Sequence, residues 1–176
     1  QKETVVAAVA KASSEQSFNL VKEYLEQCQQ RADIKDQLLS QWMIKFLGVE
    51  PMNEKQKLYI EAVSRLSLIQ AVARVFKPGC KAESVVILEG QQGTGKSTCL
   101  SVLFSPDYFG DQLPPMTSKD ASSYLGGMWC IELAELEYKR KTEIEAIKAF
   151  ISRTNENYRP AFGREEIVQP RTCVFW

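Results

Sequence analysis

Residues 84–98, SVVILEGQQGTGKST, restrict the possible fold more than any other stretch of the chain. Val85, Val86 and Ile87 are β-branched and make a short run that reads as a buried strand. The spacing Gly90-x-x-x-x-Gly95-Lys96-Ser97 that follows is the phosphate-loop pattern, which requires a strand before it and a helix after it. Glycines allow successive backbone N–H groups to turn inward around a phosphate at angles that a side chain forbids. The helix opening at Lys96 aims its positive end at the same place. On this reading Gly90, Gln91, Gln92, Gly93, Thr94, Gly95, Lys96, Ser97 and Thr98 form a cradle for a nucleoside triphosphate. Lys96 reaches the β- and γ-phosphates, and the Ser97 hydroxyl is a ligand for Mg²⁺. The plainer alternative, a glycine-rich turn with an exposed lysine, leaves the matching flanks unexplained.

Around this loop the hydrophobic pattern alternates between helix and strand. Residues 18–47 read as helical, with Phe18, Val21 and Leu25 on one face and Leu38, Leu39, Trp42 and Phe46 on another. Gly48 and Pro51 break the pattern. Asn53 with Gln56 starts a long helix whose Leu58, Ala62, Leu66, Ile69, Ala73 and Phe76 recur every three or four residues, a stripe expected to pack in the core. A helix follows over about 96–104, and Thr117 with Asp120 caps a short one ending near Tyr124. MWCIELAE (128–135) reads as a second buried strand, and Thr142 with Glu145 as the capping box of a helix that turns Ile144, Ile147 and Ile151 inward. A polar, turn-rich stretch over 154–166 leads to a last strand, TCVFW. This order implies an α/β fold with parallel strands and crossover helices. Residues 1–52 form a helical lead-in, and 53–176 a nucleotide-binding core.

The strand at 129–135 ends in acids. A carboxylate at the carboxyl end of a strand beside the phosphate loop can hold Mg²⁺ and orient an attacking water. Glu135 stands at that end. Glu132, three residues earlier, has the opposite parity on a regular strand, so one of the two faces the phosphates. A buried ion pair is the competing account of Glu132. A GTPase is disfavoured: Asp107-Tyr108-Phe109-Gly110 matches Asp-x-x-Gly only formally, and no Asn-Lys-x-Asp occurs. A small-molecule kinase with a lid of arginines (Arg153, Arg159, Arg164, Arg171) stays open, as does a nucleotide-gated binding module with negligible turnover.

Composition closes other routes. The chain of 176 residues has no histidine, which removes Ser-His and Cys-His nucleophiles. Its five cysteines are never spaced as Cys-x-x-Cys, so a zinc site would need scattered thiols to converge, and reduced thiols in a cytoplasmic protein are expected. Lys+Arg and Asp+Glu both number 22, so no global field draws the chain to nucleic acid or to a membrane surface. A mild basic tilt in the last fifth leaves local DNA contact open. No apolar run approaches the roughly 18 residues of a membrane span.

Four segments together carry a family resemblance: AVARVFKPGCKAESVVILEGQQGTGKST, GGMWCIELAELE, KAFISRTNENYRPAFGR and PRTCVFW. They resemble the virulence-associated protein E (VirE) family of phages, prophages, plasmids and pathogenicity islands, which is similar to superfamily 3 helicases within the AAA+ class. The match is dense from Ile69 to Trp176 and looser over Leu20–Gly48. The resemblance implies a phosphate-loop ATPase of a mobile-element replication protein that acts on DNA, works with ATP and Mg²⁺, and assembles as a homo-oligomeric ring. It gives the Walker B position to Glu135 and marks Glu132 as the extra family glutamate. It places Lys148, Arg159 and Arg164 in a region that often contacts DNA or a neighbouring subunit; a solvated helix face and a loop salt bridge are the ordinary account of those charges. Family members continue to a sensor residue and an arginine finger, so the resemblance also implies that the domain's C-terminal part lies beyond Trp176, and that the 176 residues can bind ATP without hydrolysing it.

Overall fold

Three short strands carry the central sheet: β1 (Phe109–Gly110), β2 (Cys130–Ile131) and β5 (Val174–Phe175). They lie in the order β1-β2-β5, all parallel, with Phe109 opposite Cys130 and Cys130 opposite Val174. Parallel neighbours need a crossover. Helix α5 (Lys119–Leu125) connects β1 to β2, and α6 (Lys141–Ile151) lies in the longer connection from β2 to β5. That connection also holds an antiparallel hairpin, β3 (Asn155–Tyr158) with β4 (Ile167–Pro170). The chain is thus α/β with a small parallel sheet. The computed structural model describes Val5 and residues 19–30, 36–134, 140–159 and 165–176.

The chain divides into two units, residues 1–32 and 33–176. In the first, α1 (Leu20–Gln30) starts at Asn19, whose side-chain oxygen accepts from the Lys22 N–H at 3.1 Å. In the second, α2 (Asp36–Leu47) packs against the long α3 (Glu54–Phe76). The expected start of α3 holds: Asn53 Oδ1 accepts from the Gln56 N–H at 2.9 Å, and Gln56 Oε1 accepts from the Met52 N–H at 2.6 Å.

The face that α3 buries corrects the sequence reading. Leu58, Leu66, Ile69 and Phe76 are 60%, 55%, 48% and 43% exposed, whereas Ile60, Ser64, Ser67, Ala71, Arg74 and Val75 point inward. The reason is indole packing. Trp42 of α2 donates its ring N–H to the Ser64 carbonyl at 2.9 Å, and Trp129 donates to the Ala71 carbonyl at 2.9 Å. Serine and alanine at those positions let the rings reach the helix backbone, which larger side chains would prevent. Trp129, Trp176 and Phe104 then stack edge to face, with Phe104 centroids 5.1 and 5.8 Å from the two indoles. Such pairs add about 0.5–1.5 kcal/mol each beyond the area they bury. In α2 likewise, Trp42 and Met43 are buried while Leu38 and Phe46 are exposed.

Several expected elements shift. Residues 84–88 form neither helix nor ladder: the sheet pairs β1, β2 and β5 with one another, Val85 packs on the core and Ile87 is 64% exposed. The second strand spans Cys130–Ile131 rather than the whole of 128–135. Ser118, not Thr117, caps α5, accepting from the Ala121 N–H at 3.1 Å. Helix α6 begins at Lys141, where the Glu143 carboxylate accepts from the Arg140 N–H at 3.1 Å, ahead of the expected Thr142–Glu145 pair. Ile147, Phe150 and Ile151 of α6 join Leu125, Ile131, Cys173 and Phe175 in the core on the other side of the sheet. The stretch at 154–166, expected to be irregular, contributes β3, because Glu156 and Tyr158 alternate inward and Tyr158 donates its hydroxyl to Gln169 Oε1 at 2.8 Å.

Candidate functional site

The loop at 90–98 owes its path to two glycines. Gly93 and Gly95 have φ of +81° and +84°, in the left-handed region that other residues adopt at a cost. A Cβ at either would meet nothing within 4 Å, so backbone conformation rather than space demands glycine there. Gly95 is the N-cap of α4 (Lys96–Phe104), and its carbonyl accepts from the Cys99 N–H at 2.8 Å. The Thr94 hydroxyl donates to the Gln91 carbonyl at 2.9 Å and pins the loop's middle to its start. The Lys96 ammonium lies inside the bend, donating to the carbonyls of Gly90 and Gln91 at 2.9 Å each.

One side-chain contact joins this loop to the sheet. The Ser97 hydroxyl donates to Glu132 Oε1 at 2.7 Å across 35 residues of sequence. Glu132 follows directly on β2 and is held from both neighbouring strands. Its own N–H donates to the Gly110 carbonyl of β1 at 2.8 Å, and the Leu133 N–H donates to the Trp176 carbonyl beyond β5 at 2.7 Å. The ladder therefore sets where the carboxylate stands relative to the loop. Hydroxyl and carboxylate oxygens are the hard donors that Mg²⁺ takes, with water and phosphate oxygens completing the octahedron. Loop amides, a helix N-terminus, an ammonium and an oxygen pair thus converge, and these groups suit a magnesium-complexed polyphosphate.

The remaining candidates separate. Glu135 and Arg164 lie outside the described residues. Gln92 is an exposed loop position, and Thr98 is exposed in the first turn of α4. Lys148 pairs with Glu145 at 3.0 Å on the exposed face of α6, both side chains being more than half accessible, and Arg159 follows β3 on the surface. Asp107 sits on a 3-10 turn (Pro106–Tyr108) ahead of β1, on the exposed surface.

Sequence reasoning missed a buried charge cluster on the α6 side. Arg171 and Glu156 are 2% and 3% exposed and form an ion pair, with Arg171 Nε donating to Glu156 Oε1 at 2.9 Å. Arg171 also donates to the carbonyls of Phe150 and Ile151 at 2.7 and 3.1 Å, while Ser122 donates to Glu156 Oε2 at 2.7 Å. Its guanidinium lies 4.8 Å from the Phe150 ring centroid and 5.1 Å from that of Phe175. Arg153 approaches the same carboxylate at 3.9 Å and stacks over Phe150. Arg74, 1% exposed, reaches the Arg171 and Arg153 carbonyls at 3.4 and 3.5 Å and leaves its Nε without a partner. Burial first, and then the Arg171 charge, lower its pKa. Arg171 is therefore a structural residue and no lid arginine. No sequence signal pairs Arg74 with a residue 97 positions away.

The family model of the virulence-associated protein E-like domain matches residues 25–176. The chain belongs to that family. The matched span includes the loop, Glu132 and the arginine cluster alike. No match was found among the curated proteins. Within the described residues no group of three or more His, Cys, Asp and Glu side chains could hold a metal, and no helix is long and apolar enough to cross a membrane.

Proposed function

We propose that residues 90–98 bind the triphosphate of ATP, that Ser97 and Glu132 hold its Mg²⁺, and that the chain is the ATP-hydrolysing core of a phage- or mobile-element replication protein of the helicase-like, superfamily 3 type within the phosphate-loop NTPase and AAA+ class. The observation that carries this reading is the 2.7 Å contact between Ser97 and Glu132, which brings the loop's hydroxyl and the strand-end acid to one point. Loop N–H groups donate to phosphate oxygens. The Lys96 ammonium exchanges its two carbonyl partners for the β- and γ-phosphates, a better match for its charge. Mg²⁺ supplies neutralisation of charge on the phosphate oxygens. Glu135, three residues past Glu132, is the candidate to position the attacking water. DNA is the proposed polymer partner, and a ring of subunits the proposed source of an arginine finger.

The kinase alternative loses support because Arg171 and Arg153 serve the buried cluster. The test is titration with ATP, with and without Mg²⁺, followed by an ATPase assay with single-stranded DNA. Lys96→Ala is expected to abolish binding. Glu132→Gln is expected to remove the Mg²⁺-dependent part of the affinity and to spare the metal-free part. Full Mg²⁺ dependence in Glu132→Gln would refute the assignment, and binding without turnover would favour a nucleotide-gated binding module.

A further inference from the structure

The exposed face of α3 carries a repeat that the nucleotide reading does not use. Tyr59, Ala62, Leu66, Ile69, Ala73 and Phe76 follow one another at intervals of three, four, three, four and three, the spacing of coiled-coil seam positions. Tyr59 is 68% exposed, Leu66 55%, Ile69 48% and Phe76 43%, with Ala62 also exposed and Ala73 half-buried. α2 covers the opposite face: Trp42 bonds at Ser64, and Gln41 Nε2 donates to Glu61 Oε1 at 3.1 Å.

The seam is symmetric about the point between Leu66 and Ile69. Reversed onto itself it sets Tyr59 against Phe76, Ala62 against Ala73 and Leu66 against Ile69. Aromatic meets aromatic, methyl meets methyl, and branched aliphatic meets branched aliphatic. This is the layering of an antiparallel helix pair, and a two-fold axis repeats every layer on its other side. The flanks agree, since Arg65 faces Val72 and Val63 faces Gln70, so no like charges oppose one another across the axis. The alanine layers allow close approach, while the outer aromatic layers close the two ends.

We propose that α3 pairs antiparallel with α3 of a second copy of this chain. The seam's 18 residues span about 26 Å of helix. Covering it and the flanking Leu58 and Val72 on both copies removes on the order of 1,000 Å² from water, at the lower end of specific interfaces, so a micromolar dimer is expected rather than a permanent one. The seam is too short for a free-standing coiled coil. Here α3 is already folded against α2, so pairing does not carry the entropy cost of forming the helix. The proposal is independent of nucleotide binding.

Sedimentation velocity of the full chain without nucleotide, from micromolar to hundreds of micromolar, is expected to show a monomer–dimer equilibrium. Leu66→Glu/Ile69→Glu is expected to abolish the dimer, with its circular dichroism spectrum and melting temperature unchanged because both side chains are already half exposed. Orientation is read by cysteine oxidation against the wild-type background. Chains carrying Ala62→Cys mixed with chains carrying Ala73→Cys are expected to form cross-linked heterodimers, and Ala62→Cys alone no homodimer. A wild-type chain that stays monomeric throughout, a folded Leu66→Glu/Ile69→Glu chain that still dimerises, or an Ala62→Cys homodimer each overturns the proposal.

Discussion

Replacing Glu156 by glutamine removes the one buried carboxylate found among the described residues and leaves Arg171 and Arg74 charged in the core. Glutamine keeps the volume and an acceptor for Arg171 Nε, so the loss is mostly one of charge. Arg171 retains its bonds to the Phe150 and Ile151 carbonyls, yet its positive charge is no longer balanced. Removing one member of a buried pair costs about 3–5 kcal/mol. Arg153 adds little to this figure, since it is half exposed and 3.9 Å away. A loss near 3 kcal/mol lowers the melting temperature of a chain this size by roughly 6–12 °C.

Arg74 supplies the control. Its two hydrogen bonds are long, its Nε has no partner, and the Arg171 charge works against it. Arg74→Met, with a stem of similar length and no charge, is therefore expected within about 1 kcal/mol of neutral. In the Arg74→Met background, Glu156→Gln leaves one uncompensated cation where it otherwise leaves two. The double variant should accordingly be more stable than the summed single effects, by about 0.5–3 kcal/mol, the range measured for residues in one network. Urea denaturation of the four proteins of the cycle measures this. A cost below about 1 kcal/mol for Glu156→Gln, or additivity within about 0.5 kcal/mol, would refute the charge-balance account.

Stability is expected to fall steeply at alkaline pH. Burial holds the Cys130 thiol well above its ordinary value of 9.0 and pushes Cys173 to about 12, with Arg171 and Arg74 only partly opposing the latter. Above pH 9 the unfolded chain releases these protons while the folded chain keeps them. The stability present below pH 9 is therefore lost at about 1.4 kcal/mol per pH unit per thiol; if Cys173→Ala leaves the slope between pH 9 and 11 unchanged, this is wrong. Gly110→Ala is expected to cost about 1–3 kcal/mol through overpacking. A Cβ there would run into the Tyr124 hydroxyl, with Cζ at 2.9 Å. The cost should shrink in a Tyr124→Leu background, and an equal cost in both backgrounds would exclude that clash as the cause.

What the sequence revealed was local. The bend at Gly93 and Gly95 and the Asn53 cap each depend on residues within a few positions, and both appear in the structure. The orientation of α3 was illegible because its apolar stripe suggested burial, while the buried face is chosen by Trp42 and Trp129, which lie 22 and 58 residues from the carbonyls they bond. The hairpin was illegible for a similar reason. Glu156 can face inward only because Arg171, 15 residues later, meets it there. A polar stretch reads as a loop until its charge partner is known.

The choice between Glu132 and Glu135 shows why strand length matters more than strand parity here. The parity argument assumed a regular strand through residue 135, but the ladder assigns strand only to Cys130–Ile131. What fixes Glu132 is two backbone bonds at the strand's end, one to Gly110 and one from its neighbour Leu133 to Trp176. Each comes from a different flanking strand, so moving Glu132 away from Ser97 requires breaking the sheet on one side. The carboxylate's place is thereby tied to the core, because Trp176 stacks on Phe104, the last residue of the helix that opens with Lys96 and Ser97. The same aromatic contact thus orients both halves of the oxygen pair: it fixes α4 against the sheet at one end and the edge beside Glu132 at the other. Changes at Phe104 should therefore disturb the Ser97–Glu132 contact even though no atom of Phe104 belongs to the site.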